Sequence, residues 1–234
     1  MKHDNRLIVA LDFESKYKAL QAVDHLSPEV KLFKVGLELF SSCGPEIVGE
    51  IRKRGCEVFL DLKFHDIPNT VEKAARAVSG LGAFMFNVHA LGGLDMMKRV
   101  KDAAGAKSKV IAVTILTSAD ENALKKCGIN VNIEDEVMNL AALAKEAGLD
   151  GVVASAREAS RIRKSLGKDF LIVVPGIRPA SAASDDQKRV ATPREAIEAG
   201  ADYIVVGRPI TAAANPLEEV REILKEIDRS LTKN

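Results

Sequence analysis

The chain has 234 residues, 47% of them hydrophobic and 29% charged, and 34 Lys and Arg face 33 Asp and Glu for a formal net charge of +1. That balance argues against a nucleic-acid-binding or polybasic membrane protein and leaves room only for a local basic pocket. Aromatics make up 4% and Trp is absent, so stacking platforms for single-stranded nucleic acid are not expected.

Met1-Lys2-His3-Asp4-Asn5-Arg6 leads straight into a strand without the apolar core of a signal peptide. Leu7–Asp12 reads as that strand and Ser15–Leu26 as the helix after it. The exchange then repeats. Strands are expected at Leu32–Leu39, Glu57–Lys63, Phe84–Ala90, Val110–Leu116, Gly151–Ser155, Phe170–Pro175 and Tyr203–Gly207. Helices are expected at Pro45–Arg54, Asn69–Ser79, Leu94–Ala104, Ile133–Glu146, Arg157–Leu166, Pro193–Ala199 and Pro216–Ser230. Gly55, Gly105, Gly148, Gly167 and Gly200 stand just past helical runs, where positive φ is commonly needed. Strands alternating with helices imply parallel pairing and right-handed crossovers. About eight such units predict an α/β protein with a closed (β/α)8 TIM barrel as one domain spanning residues 1–234. An open doubly wound sheet is the alternative, but Leu11-Asp12-Phe13-Glu14 stands where its Gly-rich turn belongs. Cys43, Cys56 and Cys127 are odd in number and scattered, which fits buried, inert thiols in a reducing compartment. With no apolar run near membrane-spanning length, the expected location is cytoplasmic.

The functional centre of this pattern is Phe59–Thr70, Phe-Leu-Asp-Leu-Lys-Phe-His-Asp-Ile-Pro-Asn-Thr. Val58, Leu60 and Leu62 share one strand face, and Asp61 and Lys63 share the other. Asp66 follows at the junction with a helix. Three charged groups in six residues are costly to bury unless chemistry needs them. In a barrel, function belongs at the C-terminal strand ends. Those ends carry Asp12, Lys34, Asp61, Lys63, His89, Thr117, Arg178, Gly207 and Arg208. Lys34, in a buried-looking strand, needs an anionic neighbour, and Asp61 and Asp66 are candidates. A metal reading of the carboxylates is weaker, because Lys63 stands between them and nothing nearby completes an oxygen cage. Gly207 and Arg208 after strand eight, with Arg178 after strand seven, read as a phosphate site. The loop Ala180–Ala191 has the composition of a lid that could bring Gln187 onto a ligand, or of a solvated loop. His89 reads as a hydrogen-bonded structural group more readily than as a base, and His65 has no nucleophile beside it to activate.

Asp61–Thr70 resembles the signature of the orotidine 5′-phosphate decarboxylase family, bacterial type. The resemblance extends to Ala10-Leu11-Asp12, Phe33-Lys34-Val35-Gly36, Val113–Ser118, Pro175–Pro179, Asp185-Asp186-Gln187 and Val206–Ile210. It implies a carboxy-lyase of de novo pyrimidine biosynthesis that converts orotidine 5′-phosphate to UMP and CO2 with no cofactor and no metal. By the same resemblance Lys63 protonates C6 and Asp61 sits beside the substrate carboxylate, with Lys34 and Asp66 holding the array. Asp12, Lys34 and Thr70 would meet the ribose, Thr117 the pyrimidine, and Arg178, Gln187, Gly207 and Arg208 the phosphate. A homodimer with shared active sites is implied, Asp66 and Thr70 reaching into the partner's barrel. Two alternatives stay open: a Mg²⁺-dependent sugar-phosphate decarboxylase or aldolase of the same superfamily, and a ligand-binding barrel without activity.

Overall fold

The computed structural model describes residues 6–179 and 191–231. Eight parallel strands close into a barrel in chain order, β1 (Leu7–Ala10), β2 (Leu32–Gly36), β3 (Glu57–Phe64), β4 (Met85–His89), β5 (Lys109–Val113), β6 (Gly151–Val153), β7 (Leu171–Val174) and β8 (Tyr203–Val206). Closure is made by β1 against β8, with Leu7 opposite Ile204 and Val9 opposite Val206. Because successive side chains face opposite ways, each strand serves two cores. Ile8, Ala10, Leu32, Phe59, Met85, Ile111, Val173 and Val205 fill the barrel interior. Their neighbours Val9, Phe33, Val58, Leu60, Phe86, Ala112, Ile172 and Val206 pack outward against the helices. Side chains therefore plug the barrel, and a ligand has room only at a mouth. Gly151 is required by the same crowding: a Cβ there would lie 2.2 Å from the Leu171 carbonyl oxygen.

The helices are α1 (Lys16–Leu26), α2 (Leu37–Cys43), α3 (Glu46–Arg52), α4 (Pro68–Gly80), α5 (Gly93–Ala104), α6 (Glu121–Lys126), α7 (Ile133–Glu146), α8 (Ala156–Leu166), α9 (Pro193–Glu198), α10 (Arg208–Thr211) and α11 (Pro216–Leu231). The five glycines expected past helix ends all have positive φ. Pro68 opens α4 at a position where its missing N–H is no loss.

The expected strand Leu32–Leu39 is corrected: pairing stops at Gly36 opposite Asp61, and Leu37 begins α2. Leu37-Glu38-Leu39 alternates like a strand, but a short apolar run cannot by itself distinguish strand from helix. Likewise β5 ends at Val113, beyond which Thr114 N–H and Oγ1 both donate to the Val153 carbonyl, at 3.3 and 3.0 Å. Helix α6 was not expected. It is nucleated by Asp120, whose side chain accepts the Ala123 N–H at 2.9 Å. The expectation of three buried thiols is also corrected. Cys56 is buried, and that burial raises its pKa, whereas Cys43 is half-buried and Cys127 is exposed at the end of α6. Among the described residues no helix is long and apolar enough to cross a membrane.

Candidate active site

The C-terminal mouth of the barrel holds a cavity of about 270 Å³. Its floor is apolar: Ala10, Phe59, Val113, Val153, Val173 and Val205. Above the floor, charges alternate in sign across three neighbouring strands. Asp12 Oδ1 accepts from Lys34 Nζ at 2.9 Å, Lys34 Nζ lies 3.5 Å from Asp61 Oδ2, and Asp61 Oδ1 accepts from Lys63 Nζ at 2.7 Å. Lys34 and Asp61 are deeply set, their side chains only 11% and 14% exposed. Charges so buried persist only when paired, and each of these two has opposite charge on either side. The adjacency follows from register: Ala10 pairs with Lys34 and Gly36 with Asp61, so β1, β2 and β3 bring their ends to one level. Gly36 keeps the row compact, because a Cβ there would stand 2.8 Å from Lys34 Nζ.

Lys63 reaches this row through irregular backbone. Strand alternation alone accounts for Phe59 and Asp61 facing inward, but between Leu60 and Phe64 the pairing with β4 slips. Over that stretch β3 advances from residue 60 to 64 while β4 advances only from 86 to 88. Lys63 takes up the excess with φ 52, the one positive φ among the described non-glycine residues. A lysine held in the left-handed region costs on the order of 1–3 kcal/mol, so the surrounding structure must enforce it. One enforcing group is the fully buried Asn87 of β4. Its Oδ1 accepts the Lys63 N–H at 2.8 Å and its Nδ2 donates to Asp61 Oδ1 at 2.6 Å.

The rest of the rim comes from later loops. Thr117, Arg178, Gly207 and Arg208 all line the cavity, together with Ile115, Leu116, Pro175, Gly176, Ile177 and Pro209. Gly207 precedes the short helix α10, and a Cβ there would make only ordinary contacts, 3.5 Å from Ala10 and Asp12 atoms. Arg178 N–H donates to the Ala191 carbonyl at 3.0 Å, pinning together the two ends of the expected lid. Residues 180–190 of that loop, with Gln187, lie outside the described residues.

Asp66 and Thr70 do not line the cavity of their own chain. The Asp66 carboxylate accepts its neighbour's Ile67 N–H at 2.6 Å in an exposed turn, and Thr70 lies in the first turn of α4. The row expected to include Asp66 is therefore Asp12–Lys34–Asp61–Lys63 within one chain. His89 stacks obliquely on His65, ring centroids 5.5 Å apart, and also stands outside the cavity lining. Burial lowers the His89 pKa, and the charges of His65 and Lys63 lower it further while Asp61 opposes them. Among the described residues no group of three or more His, Cys, Asp or Glu is disposed to hold a metal ion. Sequence reasoning passed over Asn87. Its signal was there: a polar residue between Met85 and His89, at the inward-facing spacing of an otherwise apolar strand.

Fold and site together define a (β/α)8 barrel enzyme with a paired-ion row at its mouth. The family model described as Orotidine 5'-phosphate decarboxylase / HUMPS family matches residues 5–223, and the chain belongs to that family. It is 52% identical over 228 residues to an orotidine 5'-phosphate decarboxylase of Geotalea uraniireducens, covering 95% of each chain. It is 50% identical over 230 residues to that of Saccharophagus degradans, covering 97% of each. A crystal structure of orotidine 5'-phosphate decarboxylase from Lactobacillus acidophilus superposes with a TM-score of 0.86 at 39% identity, over 96% of this chain and 99% of that one.

Proposed function

We propose that this chain, as one barrel domain, decarboxylates orotidine 5′-phosphate to UMP and CO2 in de novo pyrimidine synthesis, without a cofactor and with Lys63 as proton donor. The observation that carries the reading is the row Asp12–Lys34–Asp61–Lys63, ending in an ammonium held 2.7 Å from a carboxylate over an apolar floor. Breaking the C6–carboxylate bond releases CO2 and leaves an electron pair on C6, which the ring carbonyls cannot readily delocalise. An ammonium fixed beside that carbon stabilises the developing charge without the reorganisation water would need. Lys63 then gives one N–H proton to C6, and solvent returns it. Repulsion between Asp61 and the substrate carboxylate is assigned a smaller part, since ground-state destabilisation is the more contested effect.

Charge complementarity supports the same assignment. The row holds two carboxylates and two ammonium groups, and Arg178 and Arg208 add two guanidinium groups at the rim. Guanidinium groups at the rim suit the phosphate of the proposed substrate, and the ammonium groups of the row suit its carboxylate. In this reading Asp12 and Lys34 take the ribose hydroxyls, Thr117 the pyrimidine edge, and Arg178, Gln187, Gly207 and Arg208 the phosphate. The protein works in the cytoplasm as a homodimer in which Asp66 and Thr70 complete the partner's site. Support for that last point is that both residues lie away from their own cavity.

The test is the absorbance change on turnover of orotidine 5′-phosphate by the purified protein, with and without EDTA. Turnover should be unaffected by EDTA, and Lys63→Ala should lower kcat/KM by at least about 10³-fold while UMP still binds. Loss of wild-type activity in EDTA, or a near-normal Lys63→Ala enzyme, would overturn the proposal.

A further inference from the structure

Asn87 joins two things the reaction needs and does so with one side chain. The slip between β3 and β4 leaves the Lys63 N–H facing β4 outside the regular ladder, and Asn87 Oδ1 takes it at 2.8 Å. On the same amide, Nδ2 donates to Asp61 Oδ1 at 2.6 Å, the oxygen that also accepts from Lys63 Nζ at 2.7 Å. The amide cannot be turned round, because a backbone N–H requires the oxygen and a carboxylate requires the NH2. Asn87 is fully buried, so no water can replace either bond at low cost.

We infer that Asn87 is a positioning residue: it holds the left-handed backbone of Lys63 and the carboxylate of Asp61 in one rigid unit, and so aims the Lys63 ammonium. The inference rests on the proposed decarboxylation. It adds something the ion pair alone cannot supply. When Lys63 gives its proton to C6, the charge–charge attraction between Lys63 and Asp61 is lost, whereas the Asn87 donor holds Asp61 throughout the cycle. A side chain that sets aim should matter for kcat far more than for ligand binding, since a misplacement of about 1 Å can cost about 10²-fold in rate.

The experiment measures kcat, KM for orotidine 5′-phosphate and the calorimetric Kd of UMP for wild type, Asn87→Ala and Asn87→Asp, the first and last across pH. Asn87→Ala should lose about 10²-fold in kcat with UMP affinity kept within about threefold. Asn87→Asp retains the acceptor for Lys63 N–H but can donate to Asp61 only when protonated. Its deficit relative to wild type should therefore shrink as pH falls. The other titratable groups around the site, Asp61, Lys63, Lys34, His65 and His89, are common to both proteins, so that difference belongs to position 87. Should Asn87→Ala fail to fold, the isosteric Asn87→Asp decides alone. An Asn87→Ala enzyme within about threefold of wild-type kcat, a loss shared equally by UMP binding, or an Asn87→Asp deficit independent of pH would each overturn the inference. A wild-type protein that releases no CO2 would instead remove the functional reading on which it rests.

Discussion

At the scale of single residues, the proposed reaction assigns the mouth two kinds of group, those that bind and those that react. Arg208 lines the cavity from the end of β8, three strands round the barrel from β3, which bears Lys63. In the proposed reaction its contact with phosphate serves the transition state from a distance, because remote binding energy can be used to organise the reacting centre. Arg208→Ala should therefore lower kcat/KM for orotidine 5′-phosphate severely and that for orotidine, without its phosphate, far less. Steady-state assays with both substrates check this, and a variant keeping the wild-type preference would mean the phosphate binds elsewhere. His89 supports a second prediction. Its folded-state pKa lies below the ordinary 6.5, through burial and the neighbouring His65 and Lys63 charges. Between those two values the unfolded chain binds the proton and the folded chain does not, so stability falls as pH drops below about 6.5. Thermal melts from pH 7.5 to 5 should show a decline in Tm that His89→Gln reduces. A variant with an unchanged slope would exclude His89 as its source.

At the scale of elements, one device recurs at the end of the barrel away from the site. Asp150, just before β6, accepts the Val110 N–H and Lys101 Nζ, both at 2.6 Å, while its own N–H donates to the Val110 carbonyl at 2.8 Å. Asp202, just before β8, repeats the pattern with the Ile172 N–H at 2.8 Å and Arg163 Nη2 at 2.5 Å, its own N–H donating to the Ile172 carbonyl at 2.9 Å. Each aspartate thus clamps the preceding strand and anchors a cation from a helix, α5 or α8 respectively. Arg163 extends the second clamp by donating to the carbonyls of Gly167, Lys168, Phe170 and Gly200. Removing either carboxylate leaves a buried strand N–H unpaired, which costs about 1–3 kcal/mol. Asp150→Ala and Asp202→Ala should each lower Tm by several degrees, at about 2–4 °C per kcal/mol for a chain of this size, and leave kcat unchanged. Melting curves and initial rates on the same preparations check both halves.

At the scale of the whole molecule, the segments that follow β2 to β5 leave large apolar side chains uncovered. Leu37 is 56% exposed, Ile67 66%, Leu91 45% and Leu116 44%. All four follow C-terminal strand ends, on the same side as the cavity, and Ile67 lies between Asp66 and Thr70. Exposed apolar side chains on the cavity side fit the homodimer proposed above, in which a two-fold axis would make both sites equivalent. Subunit mixing tests the proposed sharing. Lys63→Ala and Asp66→Asn are each expected to be nearly inactive alone. In a hybrid dimer with shared sites, one site collects both substitutions and the other none. Random equal mixing should then restore roughly one quarter of wild-type activity. If no activity returned after verified subunit exchange, Lys63 and Asp66 would have to serve the same subunit's site.

Much of this was legible along the chain. Alternating short strands and amphipathic helices, with glycines past helix ends, specified the barrel, because each strand's facing and each helix's apolar stripe are local properties of period and cap. Asp61 and Lys63, read with the strand ends at Asp12, Lys34, Arg178 and Arg208, marked the mouth for the same reason, whereas Asp66 and Thr70 of the same motif lie outside its lining. Local patterns failed where several conformations fit the same few residues, as at Leu37–Cys43 and Glu121–Lys126. Period two alone put Lys63 beside Asp61, yet the backbone arrives there through a slipped register and a positive φ. That slip is held by Asn87, 24 residues away from Lys63 and 26 from Asp61. Which side chain meets which across such a distance depends on strand order and register, and those arise only when the barrel closes.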